Sequence, residues 1–575
     1  MAERKVYSYR KSKRTLGTGK KISSLVSYIT TYDYIAGDIM ADGVVQYRLG
    51  SLKYGTDRRA LMRTPGTVPH LEIKFGAGST PPVNPGPTPS LRIQDTSNLL
   101  TLYAVKTMVT GYTGPLVTVC AIGAATTPPL TVDVMAGTDG ETPDYTAAIA
   151  AFGVRFAVHI YHDQLPGGND AVASTTSRHI IDTTKGIGAI AADIGGSPYI
   201  MPNGIVANAQ NATIMQVSED RGTQLAGMVG ASLGNTGATA PYVWLGAATG
   251  IQGTGGGGSA KNLRRAPFAD RPYFKAVRGT ATDSKFWRNM DSGAPTSAGV
   301  LSANTTATAG GSIGGSRNGT ASQAAQYTSK SVIYATIFGN GLMTDAQIEN
   351  DIRVSCIDTF DLRVDDYTTL VCFIGDSIGW GQATTDAENF PYYLNKKLIA
   401  AGITNVAITN PSTAAALLSA AYAGRQDWRD LRETGKKFKI IIQRSTNDFG
   451  TTTITAANHW TTYMLPMIQY YKAVAHAANT SGFIEVAVET IPARQDTAWV
   501  ADAQKEVERL AFNQLVRDNA ATYGYTVLDR ANNPTMADPT NTTYFNSDKL
   551  HITSAGTSSN VDYEWANGLQ TFITS

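Results

Sequence analysis

The sequence is poor in cysteine and in charge, and each shortage excludes a class of protein. Its 575 residues include only three cysteines, Cys120, Cys356 and Cys372, so neither a disulfide framework nor a cysteine metal cluster is expected. Cys372 lies within an apolar run and is predicted to be a buried strand residue. Charged residues make up 16% of the chain against 42% for hydrophobic ones, which predicts globular domains with large cores. At roughly 100–200 residues per domain, we expect three or four units.

Long apolar stretches are also missing. The sequence contains no run of about 20 apolar residues, the length that spans a bilayer. The charged N-terminal segment lacks the apolar core of a signal peptide. We therefore expect no membrane span, and we expect synthesis in a cytoplasm.

The few charges are unevenly spread. Met1 to Lys21 contain eight Lys or Arg and a single acid, Glu3, for a net charge of +7, which leaves −5 for the rest of a chain whose total is +2. A basic segment of this kind either docks on an acidic partner or nucleic acid, or is a solvated terminus. Both interpretations remain open at this point.

The composition changes along the chain in blocks. Residues 1–80 mix short strand-like runs with glycine turns and predict a β-rich attachment segment. Residues 81–90 carry five prolines and predict a semi-rigid linker. From 91 to 355, short apolar runs separated by Gly, Thr, Asn and Pro predict an all-β sandwich or jelly roll, closed by a helical turn that Thr344 caps. The clearest of these runs are Leu116–Ile122, Val154–Ile160, Tyr242–Leu245 and Val332–Phe338.

The pattern differs in the last block, residues 365–575. Nearly uninterrupted apolar strands alternate with helical patterns, which is typical of parallel strands joined by crossover helices. We therefore predict an α/β/α domain with a doubly wound parallel sheet. The predicted strands are Leu370–Ile374, Val406–Thr409, Phe438–Gln443, Ile484–Thr490 and Tyr525–Leu528, and the predicted helices lie near Phe390–Ala401, Trp428–Glu433, Ala456–Ala478, Ala501–Tyr523 and Ser554–Ile573.

Two polar motifs directly follow two of these strands. Ser377, in a Gly-Asp-Ser-Ile motif, comes after the strand Leu370–Ile374, and Asn447 follows the strand Phe438–Gln443. The carboxyl ends of parallel strands share one edge of the sheet, where ligands bind. A serine there exposes its hydroxyl beside main-chain N–H groups that can stabilise a developing anion, and the Asn447 amide can donate to the same oxyanion.

A third motif places Asp548 three residues before His551. An acid at this spacing can accept the Nδ1–H of the histidine, which leaves Nε2 to take a serine proton. Taken singly, each motif has an ordinary interpretation: His551 as a surface histidine and Asn447 as a turn residue. Their joint order and strand context favour catalysis. His459 and His476 fall inside the predicted long helix and are interpreted as surface or packing residues.

Together these blocks resemble the SGNH (GDSL-type) hydrolase superfamily over residues 365–575. The resemblance implies Ser377 as nucleophile, His551 as base and Asp548 as the acid that orients it. It also implies an oxyanion hole made of the Ser377 main-chain N–H, Asn447 and a third main-chain N–H, which we assign to Ala414. Hydrolysis of this kind requires no metal or cofactor, and none is expected.

The sequence departs from the family pattern at two places. Ser445 stands where the family usually has a glycine two residues before the asparagine. The glycine expected after the second strand is missing from the segment Asn410–Ala415. Because the donor is main chain, Thr413 or Ala415 would serve as well as Ala414, and the third donor stays open.

The β-rich block resembles two related sandwich families. Tyr103–Val119 and the segment from Ile160 to Ala171 resemble the concanavalin-like jelly roll related to fungal arabinofuranosidase B. Tyr334–Ile348 resembles the closing motif of laminin-G-like jelly rolls. The resemblance implies a sandwich able to bind sugar. Asp163 is either a glycosidase residue or part of the turn framework, and we favour the framework because no carboxylate pair stands out.

The order of the blocks resembles a bacteriophage tail spike. This implies localisation to the virion tail, attachment to other tail proteins through the N-terminus, a homotrimer, and a C-terminal enzyme that removes O-acetyl groups from a bacterial surface polysaccharide such as capsule or lipopolysaccharide. No nucleic-acid partner is expected on this interpretation. Two alternatives remain: a receptor-binding adhesin with weak or generic esterase activity on small esters, and a secreted or cell-bound lipase or esterase, for which neither an acyl pocket nor an export signal is evident.

Overall fold

The computed structural model describes the strands β1 (Arg4–Tyr7) and β2 (His70–Ile73) and most of residues 92–575. The longer gaps in the second range are 201–211, 298–310, 314–328, 426–435 and 474–483. The chain divides into two compact units, Met1–Thr88 and Pro89–Ser575. In the first unit β1 and β2 pair antiparallel, with Arg4 opposite Ile73. The rest of the predicted attachment segment, and the proline linker, lie outside the described residues.

The second unit contains two sheets. The antiparallel region (residues 92–362) has 18 strands joined in one network of antiparallel pairs. Its strands are β3 (Leu99–Ala104), β4 (Val117–Cys120), β5 (Val132–Val134), β6 (Arg155–Tyr161), β7 (Ala171–Ala173), β8 (Ile180–Asp182), β9 (Ala189–Ile190), β10 (Tyr199–Ile200), β11 (Ala212–Thr223), β12 (Val229–Gly234), β13 (Tyr242–Gly246), β14 (Ile251–Thr254), β15 (Lys261–Leu263), β16 (Tyr273–Gly279), β17 (Ser284–Arg288), β18 (Thr296–Ser297), β19 (Gly311–Ile313) and β20 (Ser329–Asn340). Its helices are Thr146–Phe152, Asp345–Gln347, the π-helical turn Ile348–Ile352 and Arg353–Phe360. The all-β character predicted for this block is therefore present, and a jelly-roll topology stays a prediction.

The longest strands, β11 and β20, form the middle of the antiparallel region. They pair along their lengths, while β11 also pairs with β16 and β20 with β3. The register shifts between Val217 and Ser218 and between Asp220 and Gly222. Because such bulges bend a strand, β11 turns near its end. Arg221, at that bend, lies where this region meets the second sheet.

Two sequence-based expectations for the antiparallel region agree with local contacts. Thr344 caps the following helical turn, with its Oγ1 accepting from the Gln347 N–H at 3.1 Å, although the helix then continues to Phe360. Asp163 is 5% exposed, and its Oδ1 accepts main-chain N–H groups of Leu102 at 2.9 Å and Leu165 at 3.1 Å. These contacts fit the framework role favoured for Asp163.

The α/β region (residues 367–575) contains a five-stranded parallel sheet. Its strands are β21 (Thr369–Gly375), β22 (Val406–Thr409), β23 (Lys437–Gln443), β24 (Glu485–Glu489) and β25 (Thr526–Leu528). Each lies within one residue of its predicted bounds. The spatial order is β22-β21-β23-β24-β25, so the chain moves from β21 to one side and then returns to the other. The crevice between β21 and β23 is thus the switch point at which doubly wound sheets bind ligands.

Helices cover both faces of this sheet, as the apolar strands predict. They are Ser377–Trp380, Phe390–Ala400, Leu418–Ala423, Thr446–Thr451, Ala456–His459, the π-helical turn Trp460–Met464, Leu465–Ala473, Thr497–Val500, Gln504–Tyr523, the 3₁₀ turns Arg530–Asn532 and Pro534–Met536, Ser554–Glu564, the π-helical turn Trp565–Leu569, and Gln570–Thr574. The helix predicted near Trp428–Glu433 lies outside the described residues.

Alternate residues of β21 enter two separate cores because side chains of a strand point to opposite faces. Leu370, Cys372 and Ile374 pack with the helices Leu465–Ala473 and Gln504–Tyr523. Val371 and Phe373 pack with the helices Phe390–Ala400 and Ser554–Glu564. Cys372 is fully buried in β21, as predicted, and all three cysteines are free thiols.

A loop of the antiparallel region covers the outer edge of the parallel sheet. The Ala269 N–H donates to the Ile408 carbonyl at 2.8 Å, and the Ile408 N–H donates to Asp270 Oδ1 at 3.0 Å. Arg271 pairs with Asp270 at 2.8 Å and donates to the Val406 carbonyl. The polar groups of the edge strand β22 are thereby satisfied by the neighbouring region.

No helix within the described parts of the chain is long and apolar enough to cross a membrane.

Candidate active site

Ser377 begins a short helix at the carboxyl end of β21. Asp376 caps this helix, with its Oδ1 accepting from the Ile378 N–H at 2.9 Å. As the first helical residue, Ser377 has an N–H that the helix itself does not use. The residue is only 4% exposed, so its hydroxyl lies in a confined place.

Gln443, the last residue of β23, holds the nucleophile turn in place. Its Oε1 accepts from the Gly379 N–H at 3.0 Å and the Asp376 N–H at 3.3 Å, while its Nε2 donates to Asp376 Oδ1 at 3.2 Å. A Cβ on Gly379 would lie 2.7 Å from Gln443 Oε1, so a larger residue does not fit. Sequence analysis missed Gln443, because it lies 67 residues from its partner and belongs to no local motif.

His551 and Asp548 complete a hydrogen-bonded chain to Ser377. His551 Nε2 lies 2.9 Å from Ser377 Oγ, and His551 Nδ1 lies 2.6 Å from Asp548 Oδ2. Asp548 Oδ1 also accepts the N–H groups of Leu550 and His551, both at 3.0 Å, across a turn in which Lys549 is left-handed at φ 56°. Burial raises the pKa of the Asp548 carboxyl, but the hydrogen bonds outweigh it and hold that pKa below its ordinary value. The acid therefore stays ionised beside the histidine.

The turn that carries Asn447 is joined to the loop after β22. Asn447 Nδ2 donates to the Ala416 carbonyl at 3.2 Å, and Asp448 Oδ2 accepts from the Leu418 N–H at 2.8 Å. Burial, together with the charge of Asp376, raises the pKa of Asp448 to about 6, against the lowering effect of the Leu418 hydrogen bond. The two segments predicted to form the oxyanion hole are therefore held to each other.

The loop after β22 starts in a fixed position. Asn410 Nδ2 donates to the Gly379 carbonyl at 3.1 Å, and Asn410 Oδ1 accepts the N–H of Ser412 at 3.2 Å and its hydroxyl at 2.5 Å. Ala414, the predicted third donor, lies outside the described residues. Ala415 is left-handed at φ 57°, the conformation that favours glycine. It thus has the backbone shape expected of the missing glycine.

One main-chain carbonyl links the antiparallel region to the nucleophile helix. The Arg221 carbonyl accepts from Asn410 Nδ2 at 2.7 Å and from Asn389 Nδ2, which also donates to the Trp380 carbonyl at 3.3 Å. The Arg221 guanidinium pairs with Glu219 at 2.7 Å. Both asparagines thus bond the same carbonyl and the helix that begins at Ser377.

A buried ion cluster lies in the α/β region close to Asp376. Arg530 Nη2 is 2.5 Å from Glu489 Oε2, and Arg530 Nε is 3.4 Å from Glu564 Oε1, with all three side chains at most 2% exposed. Burial raises the pKa of Glu564 to about 6 and that of Glu489 well above its ordinary value. These groups place a low-dielectric, charge-bearing core close to the capping acid, and the charge of Asp376 adds to the raised pKa of Glu489.

A second Asp–His–hydroxyl chain occurs in the antiparallel region. His162 Nδ1 is 2.8 Å from Asp170 Oδ2, and its Nε2 is 2.7 Å from Thr118 Oγ1. The Thr118 hydroxyl also contacts Asp133 Oδ1 at 2.5 Å. Sequence analysis did not single out this chain, because Thr118 lies 44 residues from His162.

The Ser377 arrangement has the parts that acyl transfer needs. It brings together three sequence-predicted residues, a nucleophile, a base and an orienting acid, at hydrogen-bonding distances. Asn447 lies at the end of the neighbouring strand β23, beside the switch-point crevice. Such a site can attack a carbonyl carbon and stabilise the resulting oxyanion.

Comparisons with known proteins give only distant likenesses. No family profile matches the sequence, and no curated protein matches it. Among solved structures, a GH54 α-L-arabinofuranosidase is 11% identical with a TM-score of 0.33, over 46% of this chain and 63% of that enzyme, so this chain spans less than two thirds of it. A lipolytic G-D-S-L family member from Veillonella parvula is 16% identical with a TM-score of 0.27, over 35% of this chain and 98% of that one. A carbohydrate acetylesterase family member from Sinorhizobium meliloti is 13% identical with a TM-score of 0.27, over 36% and 100% of the two chains. At such scores the chemistry has to be inferred from this chain's own side chains.

Proposed function

We propose that the α/β region is a serine esterase of the SGNH type, which removes O-acetyl groups from a bacterial surface polysaccharide as part of a bacteriophage tail spike. The observation that carries the proposal is the chain from Asp548 through His551 to Ser377, with contacts of 2.6 and 2.9 Å. It joins residues 174 positions apart at the carboxyl edge of a parallel sheet.

The reaction follows from the positions of the protons. Asp548 accepts the Nδ1–H of His551, which leaves the Nε2 lone pair facing the Ser377 hydroxyl. His551 takes the hydroxyl proton as Ser377 Oγ attacks the ester carbonyl, and then gives that proton to the departing sugar oxygen. Water, activated by the same imidazole, hydrolyses the acyl-enzyme and releases acetate.

Three N–H donors stabilise the tetrahedral oxyanion in this proposal. They are the Ser377 main-chain N–H, the Asn447 side chain and a main-chain N–H of the loop after β22. The left-handed backbone of Ala415 favours that residue's part of the loop for the third donor, next to the predicted Ala414. No metal or cofactor takes part in any of these steps.

Three features support the substrate and the setting. The small exposed fraction of Ser377, 4%, suits a small acyl group such as acetyl. The antiparallel region, proposed to bind sugar, is bonded to the nucleophile helix through Arg221. The basic leader from Met1 to Lys21 and the order of the blocks fit a tail spike that attaches to other tail proteins by its N-terminus, assembles as a homotrimer and resides in the virion tail.

Acetate release tests the proposal directly. The full chain is incubated with p-nitrophenyl acetate and with purified acetylated capsular or lipopolysaccharide, and acetate is measured for the wild type and for Ser377→Ala. We expect release from both substrates by the wild type alone. Equal release by Ser377→Ala would refute the mechanism. Binding to cells without release from either substrate would favour the adhesin, and release from the small ester alone would favour a generic esterase.

A further inference from the structure

His459 is a buried imidazole next to the proposed oxyanion hole. Sequence analysis interpreted it as a surface or packing residue, and the structure places it at the end of the helix Ala456–His459 with no exposed surface. Its ring contacts the rings of Phe449 at 5.0 Å and Phe512 at 5.1 Å between centroids. Its Nε2 lies 3.0 Å from Ser445 Oγ. His476, its companion in the sequence interpretation, lies outside the described residues.

The direction of the hydrogen bond between His459 and Ser445 can be assigned. The Ser445 hydroxyl also contacts the carbonyl oxygen of Arg444, which can only accept, so the hydroxyl proton lies in that contact. Ser445 Oγ must then accept from His459 Nε2–H. The other nitrogen, Nδ1, is buried and has no hydrogen-bond partner among the described residues. The imidazole is therefore neutral, in agreement with a pKa that burial lowers to about 4.

Ser445 occupies the turn that connects two parts of the proposed site. It lies between β23 and the helix Thr446–Thr451, which carries Asn447. The preceding Arg444 donates from Nε to the Gly375 carbonyl at 2.8 Å, at the end of the strand that leads to Ser377. The carbonyl of Arg444 is thus held by Ser445 while its side chain holds the nucleophile strand.

We propose that His459 is a positioning residue of the esterase: its Nε2–H fixes the Ser445 hydroxyl on the Arg444 carbonyl, and so keeps the Asn447 turn in register with Ser377. A glycine at position 445 would have no hydroxyl to fix, so this chain's serine and its histidine work as a pair. The inference rests on the proposed esterase function, because it concerns the geometry of the same site.

A double-mutant cycle in the full chain tests the pair. His459→Phe fills the aromatic surroundings but cannot donate. We expect it to lower kcat on p-nitrophenyl acetate about tenfold with KM unchanged within about twofold, less than the 10²–10³-fold cost of losing an oxyanion donor itself. In the Ser445→Gly background the same substitution is expected to change kcat by less than about twofold. His459→Gln, whose amide can donate at a similar reach, is expected to recover most of the activity.

The possible outcomes separate the two proposals. An equal loss from His459→Phe in both backgrounds, or no loss in either, overturns the positioning role of His459. A variant that loses thermal stability but keeps kcat has a structural histidine only, which also overturns it. If His459→Phe does not fold, recovery by His459→Gln in Ser445 protein but not in Ser445→Gly protein decides the matter. An inactive wild type refutes the esterase function instead.

Discussion

Two regions of this molecule each contain an Asp–His–hydroxyl chain with good distances, and only one has the surroundings of a catalytic site. In the α/β region the contacts are 2.6 and 2.9 Å, and in the antiparallel region they are 2.8 and 2.7 Å. By distance alone the two chains are equivalent. They differ in where the hydroxyl proton goes and in what surrounds the oxygen.

The proton decides the first difference. Thr118 has one hydroxyl proton, and the Asp133 carboxylate at 2.5 Å can only accept it. His162 Nε2 must then donate to Thr118, so it is not available as a base. Ser377 contacts no carboxylate in this way among the described residues, and its proton faces His551.

The backbone decides the second difference. Thr118 lies within β4, which is paired on both sides, opposite Asp133 of β5 and Ile160 of β6. Its main-chain neighbours are engaged in the sheet and offer no donors to an oxyanion. Ser377 begins a helix at a strand end, where N–H groups point outward. A triad is therefore defined by its proton balance and its backbone setting as well as by its distances.

The most direct way to break this comparison is covalent labelling with a fluorophosphonate, which reacts with activated hydroxyls. We expect one label per chain, on the peptide that contains Ser377. Ser377→Ala should slow labelling by about 10⁴-fold or more. Thr118→Val, which removes the other hydroxyl, should leave the labelling rate unchanged. A label found by mass spectrometry on Thr118 would show that the two chains are alike.

The acids should differ by nearly as much. Asp548→Asn keeps the shape but favours the wrong tautomer of His551, and we expect kcat on p-nitrophenyl acetate to fall about 10²–10⁴-fold. Asp170→Asn makes the same change in the antiparallel region and should leave kcat within about twofold. Similar losses from both substitutions would contradict the assignment of catalysis to one chain.

A smaller effect concerns the buried charge beside the catalytic chain. Burial raises the pKa of Asp448 to about 6 from 3.8, so its contribution to stability is fully present below about pH 4 and is lost as the pH rises through about 6. Asp448→Asn keeps an oxygen for the Leu418 N–H without the charge. We expect it to raise the melting temperature by a few degrees at pH 8 and to have little effect at pH 4. The same increase at both values would show that ionisation is not the cause.

The smallest expected effect concerns the strained loop of the α/β region. Ala415 adopts φ 57°, which costs an alanine more than a glycine. Ala415→Gly should stabilise the protein by up to about 1 kcal/mol and keep esterase activity. Ala416→Gly, at a neighbouring residue without a positive φ, is the matched control and should lower the melting temperature. If both substitutions lower it, the loop is not strained at Ala415.

Local motifs explain why the catalytic residues could be predicted from the sequence. Ser377 and Asn447 each follow an apolar strand, and Asp548 lies three residues before His551, so each motif is visible in a short window. The parallel sheet could be predicted for the same reason, because its strands are continuous apolar runs.

The supporting residues could not be predicted, because their partners are distant in the sequence. Gln443 acts on a turn 67 residues away, and Arg221 is bonded to residues 168 and 189 positions later. His459 and Ser445 lie 14 residues apart with no periodicity that joins them. The antiparallel topology depends on pairings such as β11 with β20, which no local pattern specifies.

The loop over the outer edge of the parallel sheet has a consequence for how this protein is inherited and rebuilt. Composition changes near residue 365, and a genetic exchange or a laboratory fusion would naturally cut there. Such a cut leaves behind the Ala269, Asp270 and Arg271 groups that bond to β22. A transplanted hydrolase would then carry a bare edge strand open to pairing with other chains. Recombination that preserves a soluble enzyme must therefore move the loop with it, or supply a new neighbour that binds the same edge.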